Sequence, residues 1–122
     1  MTQARLSLGK YGEALACREL RRRGYALLAR RYRTRWGEID IVARDGDTLV
    51  LIEVKTRRGT RFGGPVAAVN FRKQRRLVNM ARSYLLGLSG LEPPCRFDVV
   101  GVTLASGEPP VVELLVNAFR VS

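Results

Sequence analysis

The sequence predicts an α/β protein with two helices and five strands in one domain, residues 1–122. Residues 8–23 and 70–86 carry apolar side chains at helical spacing, whereas five shorter segments carry the apolar runs of strands. A chain of 122 residues with 46% hydrophobic residues is large enough for one well-formed core. No apolar run approaches the ~18 residues that a transmembrane helix needs, so no membrane association of that kind is expected.

Two features predict a cytoplasmic protein. Residues 1–14 lack the apolar core of a secretory signal. Two cysteines, Cys17 and Cys95, make a poor disulfide framework for a chain of this size. Reduced thiols or small core residues are the simpler interpretation.

Positive charge is concentrated in the first two thirds of the chain. Residues 1–82 carry 20 basic and 7 acidic side chains, whereas residues 83–122 carry 2 and 4. Nineteen of the 22 basic residues are arginine, whose planar fork matches phosphate oxygens. This pattern favours a nucleic-acid partner. A codon bias towards arginine, an anionic membrane surface or a ribosomal contact would give a similar composition.

The first helix is predicted over residues 8–23, with Gly24 as its C-terminal cap after a basic last turn. Its buried stripe contains Glu13, Ala16, Cys17 and Leu20. Periodicity leaves two interpretations of a glutamate on this stripe. It is either a helix-start acid paired with an arginine, or a carboxylate pointed into a polar site.

Residues 25–33 form the first predicted strand, and a run of arginines continues from it to Trp36. Arg33 and Arg35 lie in this run beside aromatic residues, an arrangement suited to phosphate contacts and base stacking. A solvated edge strand with Trp36 packed on the core is at least as good an interpretation.

The second and third strands are predicted to form a hairpin whose polarity conflicts with its apolar pattern. Two apolar runs flank a turn signal at Asp45-Gly46. Three charged residues interrupt or follow these runs: Asp40, Glu53 and Lys55. Residues 37–57 hold five of the eleven acidic residues of a chain with net charge +11. Buried charges persist mainly when they are paired or bind a metal, so a functional site is predicted here.

Side-chain alternation predicts which of these residues meet. Glu38, Asp40 and Val42 are expected on one strand face, and Glu53 and Lys55 on one face of the next strand. A tight turn that pairs Arg44 with Asp47 puts Glu38 opposite Glu53. Any loop with an even number of residues keeps the charged residues on one patch, whereas a three-residue loop would separate them.

Three carboxylates on one patch would repel each other and raise a pKa unless a cation lay between them. A hard divalent cation such as Mg²⁺ takes carboxylate, carbonyl and water oxygens. Lys55 would lie beside it, where an ammonium group can hold a water or stabilise charge on a phosphate. The simpler alternative is an ion pair of Lys55 with Glu38 or Asp40.

Residues 56–69 are rich in glycine and arginine and are predicted to form a long loop directly after the site. Arg57, Arg58 and Arg61 would contact a nucleic-acid backbone from this loop. An ordinary surface loop is compatible with the same composition.

The second helix is predicted to begin after the N-cap Asn70 and to run to about Leu86. Lys73 and Arg76 lie at the head of its apolar stripe, from which they either reach the site or extend into solvent.

Residues 96–104 and 111–115 are the last predicted strands. Asp98 is isolated in the first of these apolar runs. It either supports the site or bonds Arg96 or a backbone amide, and the structural role is preferred.

The ordered set of motifs resembles the PD-(D/E)xK nuclease superfamily. In that signature an acid near the end of one strand and a Glu-x-Lys on the next bind the metal and carry the chemistry. Here Asp40, preceded by isoleucine rather than proline, is followed by Glu53-Val54-Lys55. Nearly the whole chain is similar to the YraN-like family of uncharacterised bacterial proteins, related to archaeal Holliday junction resolvases. The matching segments include GKYGEALA at 9–16, GEIDIVARDGDTLVLIEVKTR at 37–57 and RFDVV at 96–100.

The resemblance implies a restriction-endonuclease-like core with a mixed central β-sheet flanked by helices. It implies that Asp40 and Glu53 bind Mg²⁺ or Mn²⁺ together with the Val54 carbonyl, and that Lys55 is the catalytic lysine. Glu13 matches a helix-one glutamate that resolvase-like members add to the site, whereas Glu38 has no assigned role. Resolvase relatives act as dimers, which suggests a homodimer.

The function expected from these observations is a metal-dependent endonuclease that hydrolyses DNA, including branched or single-stranded DNA. The alternative is a non-catalytic nucleic-acid-binding module on a nuclease fold. A third, weaker interpretation is a subunit whose basic face docks an acidic protein.

Overall fold

The computed structural model describes residues 3–59, 71–86 and 94–120, which form two helices and a five-stranded sheet. The helices are α1 (Gln3–Arg22) and α2 (Phe71–Leu86). The strands are β1 (Ala26–Thr34), β2 (Gly37–Asp45), β3 (Thr48–Arg58), β4 (Cys95–Leu104) and β5 (Val111–Arg120). Neither helix is long and apolar enough to cross a membrane.

The strands lie side by side in the order β1-β2-β3-β4-β5. The β3–β4 pair is parallel, and the other neighbours are antiparallel. A parallel pair needs a crossover connection, and α2 lies in the chain between these two strands. The predicted α/β class is therefore confirmed, with a mixed sheet flanked by helices.

The two helices cover opposite faces of the sheet. Successive residues of β3 point to opposite faces of the sheet. Val50 and Ile52 pack in the core cluster on the α1 side, whereas Leu49 and Leu51 pack in the cluster on the α2 side. The cluster on the α1 side also contains the predicted helix stripe of Ala16, Cys17 and Leu20. The cluster on the α2 side contains Leu77, Met80 and Ala81.

The end of α1 confirms the predicted glycine cap. Gly24 has a φ of 92°, a left-handed conformation that costs glycine little. The Gly24 N–H donates to the Arg21 carbonyl at 3.0 Å, and the Tyr25 N–H donates to the Leu20 carbonyl at 2.9 Å. These two bonds form a Schellman motif, which ends the helix and directs the chain into β1.

Two predicted strand ends are wrong because they depend on partners that are distant in sequence. Residues 56–58 belong to β3 rather than to a loop, since Val102, Thr103 and Leu104 of β4 pair with them. The last strand continues past Leu115 to Arg120, since Phe97 and Arg96 of β4 pair with Phe119 and Arg120. Arg61 and Asn70 lie outside the described residues.

The β2–β3 turn contains two residues, Gly46 and Asp47, and Asp45 pairs with Thr48. The predicted pairing of Arg44 with Asp47 is therefore wrong, because the turn lies one residue further along the chain than predicted. Gly46 has a φ of 60° and occupies the first position of the turn, where a hairpin favours glycine. The turn nevertheless has an even number of residues, which is the condition for bringing the charged residues together.

Side-chain alternation breaks in β2 at Asp40. Ile39 and Val42 pack in the α2-side cluster, whereas Ile41 packs in the α1-side cluster. A regular strand would put Ile39 and Ile41 on the same face. The prediction that residues 38, 40 and 42 share one face is therefore wrong. The neighbouring strand β1 has its own irregularity at the same level, because Arg31 has a φ of 53° between the Arg30–Ile41 and Tyr32–Ile39 pairs.

Candidate active site at the fork of β2 and β3

Asp40 lies where β2 and β3 part. The backbone pairing of these strands extends from Asp45–Thr48 to Ile41–Ile52. At the next position the Asp40 Oδ2 atom accepts a hydrogen bond from the Val54 backbone N–H at 2.7 Å. The carboxylate thus occupies the fork between the strands, and a backbone donor compensates part of the cost of its burial.

Three further carboxylates act on Asp40: Glu13 from α1, Glu38 from β2 and Glu53 from β3. Burial raises the pKa of Asp40, and the hydrogen bond from Val54 opposes this effect. The negative charges of the three glutamates raise the pKa of Asp40 further. The predicted rise of a carboxyl pKa is thus found at Asp40, but its main cause is burial, and repulsion among the acids adds to it.

Two clefts meet at Glu38 and Asp40, which line both. The α2-side cleft has a volume of about 200 Å³ and also includes Glu53, Arg76 and Met80 in its lining. The α1-side cleft has a volume of about 710 Å³. Its lining also includes Lys10, Glu13, Arg31, Arg33, Val54 and Thr56. The acids are therefore divided between two faces of the fork rather than gathered on one sheet face.

Glu13 is buried and is held by two arginines of β1. Arg30 Nη2 lies 2.9 Å from Glu13 Oε1, and Arg31 Nε lies 3.4 Å from Glu13 Oε2. The predicted pairing of Glu13 with an arginine is therefore observed, but its predicted place at the helix start is wrong, because α1 begins at Gln3 and Glu13 is buried in the middle of the helix. Its position in the lining of the α1-side cleft also puts it beside Asp40.

Close contact between α1 and β3 depends on Gly12. A Cβ atom at this position would overlap the side chain of Thr56. The absence of a side chain at Gly12 therefore lets the helix approach the strand beside the fork, with Glu13 at the next position. Sequence reasoning missed this role, although a glycine inside a helical pattern is a signal of close approach.

Lys55 lies on β3 two residues after Glu53 and is half-buried. Neither of the two clefts includes it among the described lining residues. Glu38 pairs with Arg33 at 3.1 Å, and an ion pair of Lys55 with Glu38 or Asp40 does not occur among the described ion pairs.

The predicted nucleic-acid-binding residues are spread around the fork. Arg33 lines the α1-side cleft and Arg76 the α2-side cleft, so they adjoin the acids from opposite faces. Arg35 stacks its guanidinium 4.6 Å from the ring centroid of Trp36, which itself packs against the α2-side core. Arg57 and Arg58 lie at the end of β3. The Lys73 side chain, like Arg61, is outside the described part of the chain. Arg30 and Arg31, which belong to the predicted run of arginines before Trp36, also border the site, as does Lys10, which was not predicted.

The four carboxylates do not form a ready metal site in their present positions. Within residues 3–59, 71–86 and 94–120, no three His, Cys, Asp or Glu side chains are grouped closely enough to hold a metal ion. Contacts already occupy Glu13, Glu38 and Asp40, since arginines bind the two glutamates and the Val54 N–H binds Asp40.

Asp98 belongs to a separate network at the turn end of β2. The Tyr25 hydroxyl donates to Asp98 Oδ2 at 2.8 Å, and Arg96 Nε donates to Asp98 Oδ1 at 2.9 Å. Arg96 also reaches Asp45 Oδ2 at 2.9 Å. The preferred structural role of Asp98 is confirmed.

Comparison with known proteins gives a consistent result over this region. A family model described as "Uncharacterised protein family UPF0102" matches residues 12–102, a range that contains the whole fork. A UPF0102 protein of Anaeromyxobacter dehalogenans is 50% identical over 107 residues, which cover 88% of this chain and 80% of the relative. One of Symbiobacterium thermophilum is 48% identical over 113 residues, which cover 93% and 96%. The chain therefore belongs to the UPF0102 family, which confirms its resemblance to the YraN-like bacterial proteins.

Proposed function

We propose that this protein is a Mg²⁺- or Mn²⁺-dependent endonuclease that hydrolyses phosphodiester bonds in DNA. The observation that carries the proposal is the half-buried Asp40 carboxylate at the fork, which lies beside three glutamates in a chain of net charge +11 and whose pKa is raised by burial and by those glutamates. A part-buried carboxylate beside further acids within a strongly basic protein is expected where a cation and a polyanion meet.

The chemistry of the donor set fits a hard divalent cation. Mg²⁺ and Mn²⁺ prefer carboxylate and carbonyl oxygens, and a cation would relieve the repulsion that raises the pKa of Asp40. Asp40, Glu53, the Val54 carbonyl and Glu13 would hold it. When bound, such a cation neutralises charge that develops on the reacting phosphate.

Within this proposal, each remaining residue has a role set by its chemistry. Lys55 follows Glu53 by two residues on β3, and its ammonium group would donate to a phosphate oxygen or orient the attacking water. Arg33 and Arg76 would position the backbone at the two clefts. The other proposed phosphate-binding residues are Arg35, Arg57, Arg58, Arg61 and Lys73.

The proposed fold assignment is a restriction-endonuclease-like core. It is supported by the order α1-β1-β2-β3-α2-β4, with the parallel β3–β4 pair after the hairpin. The first acid lies on β2, the Glu-x-Lys motif on β3, and α1 brings Glu13 to the same fork.

The direct test is cleavage of duplex, flap, four-way-junction and single-stranded DNA by the purified protein with Mg²⁺ or Mn²⁺. Chelation with EDTA should stop cleavage, Asp40→Asn and Glu53→Gln should abolish it, and Lys55→Gln should slow it about 10²-fold or more. Asp47→Asn is the matched control, because Asp47 is an exposed acid on the same hairpin. Cleavage that survives Asp40→Asn would refute the proposal.

Nucleic-acid binding has its own test. The affinity for DNA should fall steeply as salt rises from about 50 to 200 mM, because released counterions drive phosphate contacts. Arg33→Gln or Arg76→Gln should reduce the slope of log affinity against log salt by about one. Light scattering with and without a four-way junction would show whether two copies bind the two symmetric strands.

A non-catalytic nucleic-acid-binding module is the second candidate. It is favoured by the arginine-bound state of Glu13, which leaves that carboxylate engaged without a cation. Calorimetry separates the two functions, since a module that only binds DNA need not take up Mn²⁺ at Asp40.

A further inference from the structure

Two consecutive arginines occupy both oxygens of the Glu13 carboxylate. Arg30 approaches Oε1 with Nη2 at 2.9 Å and Nε at 3.0 Å, and Arg31 approaches Oε2 with Nε at 3.4 Å. Glu13 itself is only 8% exposed. The two guanidinium groups compensate part of the cost of burying this carboxylate.

Consecutive residues of a regular strand point to opposite faces, so Arg30 and Arg31 would not normally reach one carboxylate. Arg31 has a φ of 53°, a left-handed conformation that is uncommon outside glycine. This conformation brings both guanidinium groups to the α1 side. Unusual backbone at a contact beside a cleft is a reason to look for function.

The same arginines are open to a ligand. Their side chains are 44% and 47% exposed, and Arg31 lines the α1-side cleft together with Lys10, Arg33 and Asp40. A guanidinium group binds phosphate oxygens with the same forked geometry that it uses for a carboxylate. A nucleic-acid backbone in this cleft would therefore compete with Glu13 for the same donors.

We propose that Arg30 and Arg31 form an exchange site, which binds Glu13 in the free protein and phosphate groups in the nucleic-acid complex. The exchange releases Glu13 to the cation beside Asp40. This inference rests on the proposed function and deepens it, since it couples cation binding to nucleic-acid binding. The coupling is reciprocal, so each ligand raises the affinity for the other by the same factor.

The test is calorimetric titration of the full chain with Mn²⁺, alone and with a short DNA duplex at constant ionic strength. Titration of the duplex alone provides the reference, and electrophoresis afterwards checks that the duplex is intact. DNA should raise the Mn²⁺ affinity of the wild type about fivefold or more, the lower end of usual couplings. In Arg30→Gln/Arg31→Gln, Mn²⁺ affinity without DNA should rise, and the effect of DNA should shrink.

Loss of two positive charges would by itself favour a cation, so the experiment includes a double-mutant cycle with Glu13→Gln. If the arginines act through Glu13, their replacement raises the Mn²⁺ affinity less in the Glu13→Gln protein than in the protein that keeps Glu13. An equal gain with and without Glu13 would overturn the exchange. Arg22→Gln/Arg23→Gln is the control for net charge, because those arginines bind Glu19 in the same way on the exposed side of α1.

Circular dichroism will show whether the double variant folds. If it does not, the single variant Arg30→Gln takes its place and should show the same changes in Mn²⁺ affinity to a smaller degree. Mn²⁺ binding that does not depend on DNA would overturn the exchange and leave the proposed nuclease standing. Failure of every form to bind Mn²⁺ would overturn both.

Discussion

The Asp40 carboxylate takes the place of a backbone rung between β2 and β3, since its Oδ2 atom accepts the Val54 N–H at 2.7 Å just beyond the Ile41–Ile52 pair. The Asp40 side chain thus lies where the backbone pairing of β2 and β3 ends, and it lines both clefts. The effects of its charge and of its hydrogen bond can be separated by substitution.

Asp40→Asn should raise the free energy of unfolding in EDTA at neutral pH. The folded state raises the pKa of Asp40, so the ionised group destabilises it, and the stabilisation present at low pH is lost as pH rises through the folded pKa. Asparagine removes the charge and keeps an acceptor for Val54. Asp40→Ala should be less stable than Asp40→Asn by about 1 kcal/mol, because the part-buried Val54 N–H loses its partner.

Urea unfolding of the two variants and of the control Asp47→Asn measures these differences. Added Mn²⁺ should stabilise the wild type and the control but not Asp40→Asn. A wild type more stable than Asp40→Asn in EDTA would show that the ionised Asp40 carboxylate does not destabilise the folded state.

Gly12→Ala should destabilise the protein by about 1–3 kcal/mol, because the added methyl overlaps Thr56 and pushes α1 away from β3. Gly9→Ala is a matched control in the same helix, since nothing lies within 4 Å of its Cβ position. That control should gain about 0.5–1 kcal/mol from better helix propensity. Thermal and urea unfolding measure both changes, and the cost of Gly12→Ala should be smaller in a Thr56→Ala protein.

Asp98 and Asp45 both bind Arg96, but we expect their replacement to cost very different amounts of stability. The Asp98 side chain is fully buried, whereas that of Asp45 is 43% exposed. Asp98→Ala should cost about 3–5 kcal/mol, because it leaves Arg96 and the Tyr25 hydroxyl without their buried partner. Asp45→Ala should cost at most about 1 kcal/mol. Similar losses in urea unfolding would show that burial does not control the strength of these pairs.

The raised pKa of Tyr25 leads us to expect a loss of stability at high pH. Burial and the neighbouring Asp98 raise its pKa from 10.0 to about 12, so the unfolded chain loses this proton first. The free energy of unfolding should therefore fall as pH rises from about 10 to about 12. Tyr25→Phe should cost about 1–2 kcal/mol near pH 8, and its disadvantage should shrink across that window. Ultraviolet titration should show that this substitution removes the last tyrosine to ionise.

Much of the framework follows from local pattern. The α1 stripe, the Gly24 cap, the even-numbered hairpin turn and the structural role of Asp98 were predictable, because periodicity, glycine and isolated polarity act over a few residues. Strand ends were less predictable, since residues 56–58 and the last part of β5 are ordered by β4 partners far away in sequence.

The sequence by itself determined which chemical groups are available: the Asp40 and Glu53-Val54-Lys55 motif, the glutamate of the first helix and the surrounding arginines. Only the tertiary structure decided how they are arranged. The break of alternation at Asp40, the left-handed Arg31 and the contact of Gly12 with Thr56 arise where three chain segments meet. Side-chain alternation assumes a regular strand, and β2 departs from it at Asp40, where the carboxylate accepts the Val54 N–H.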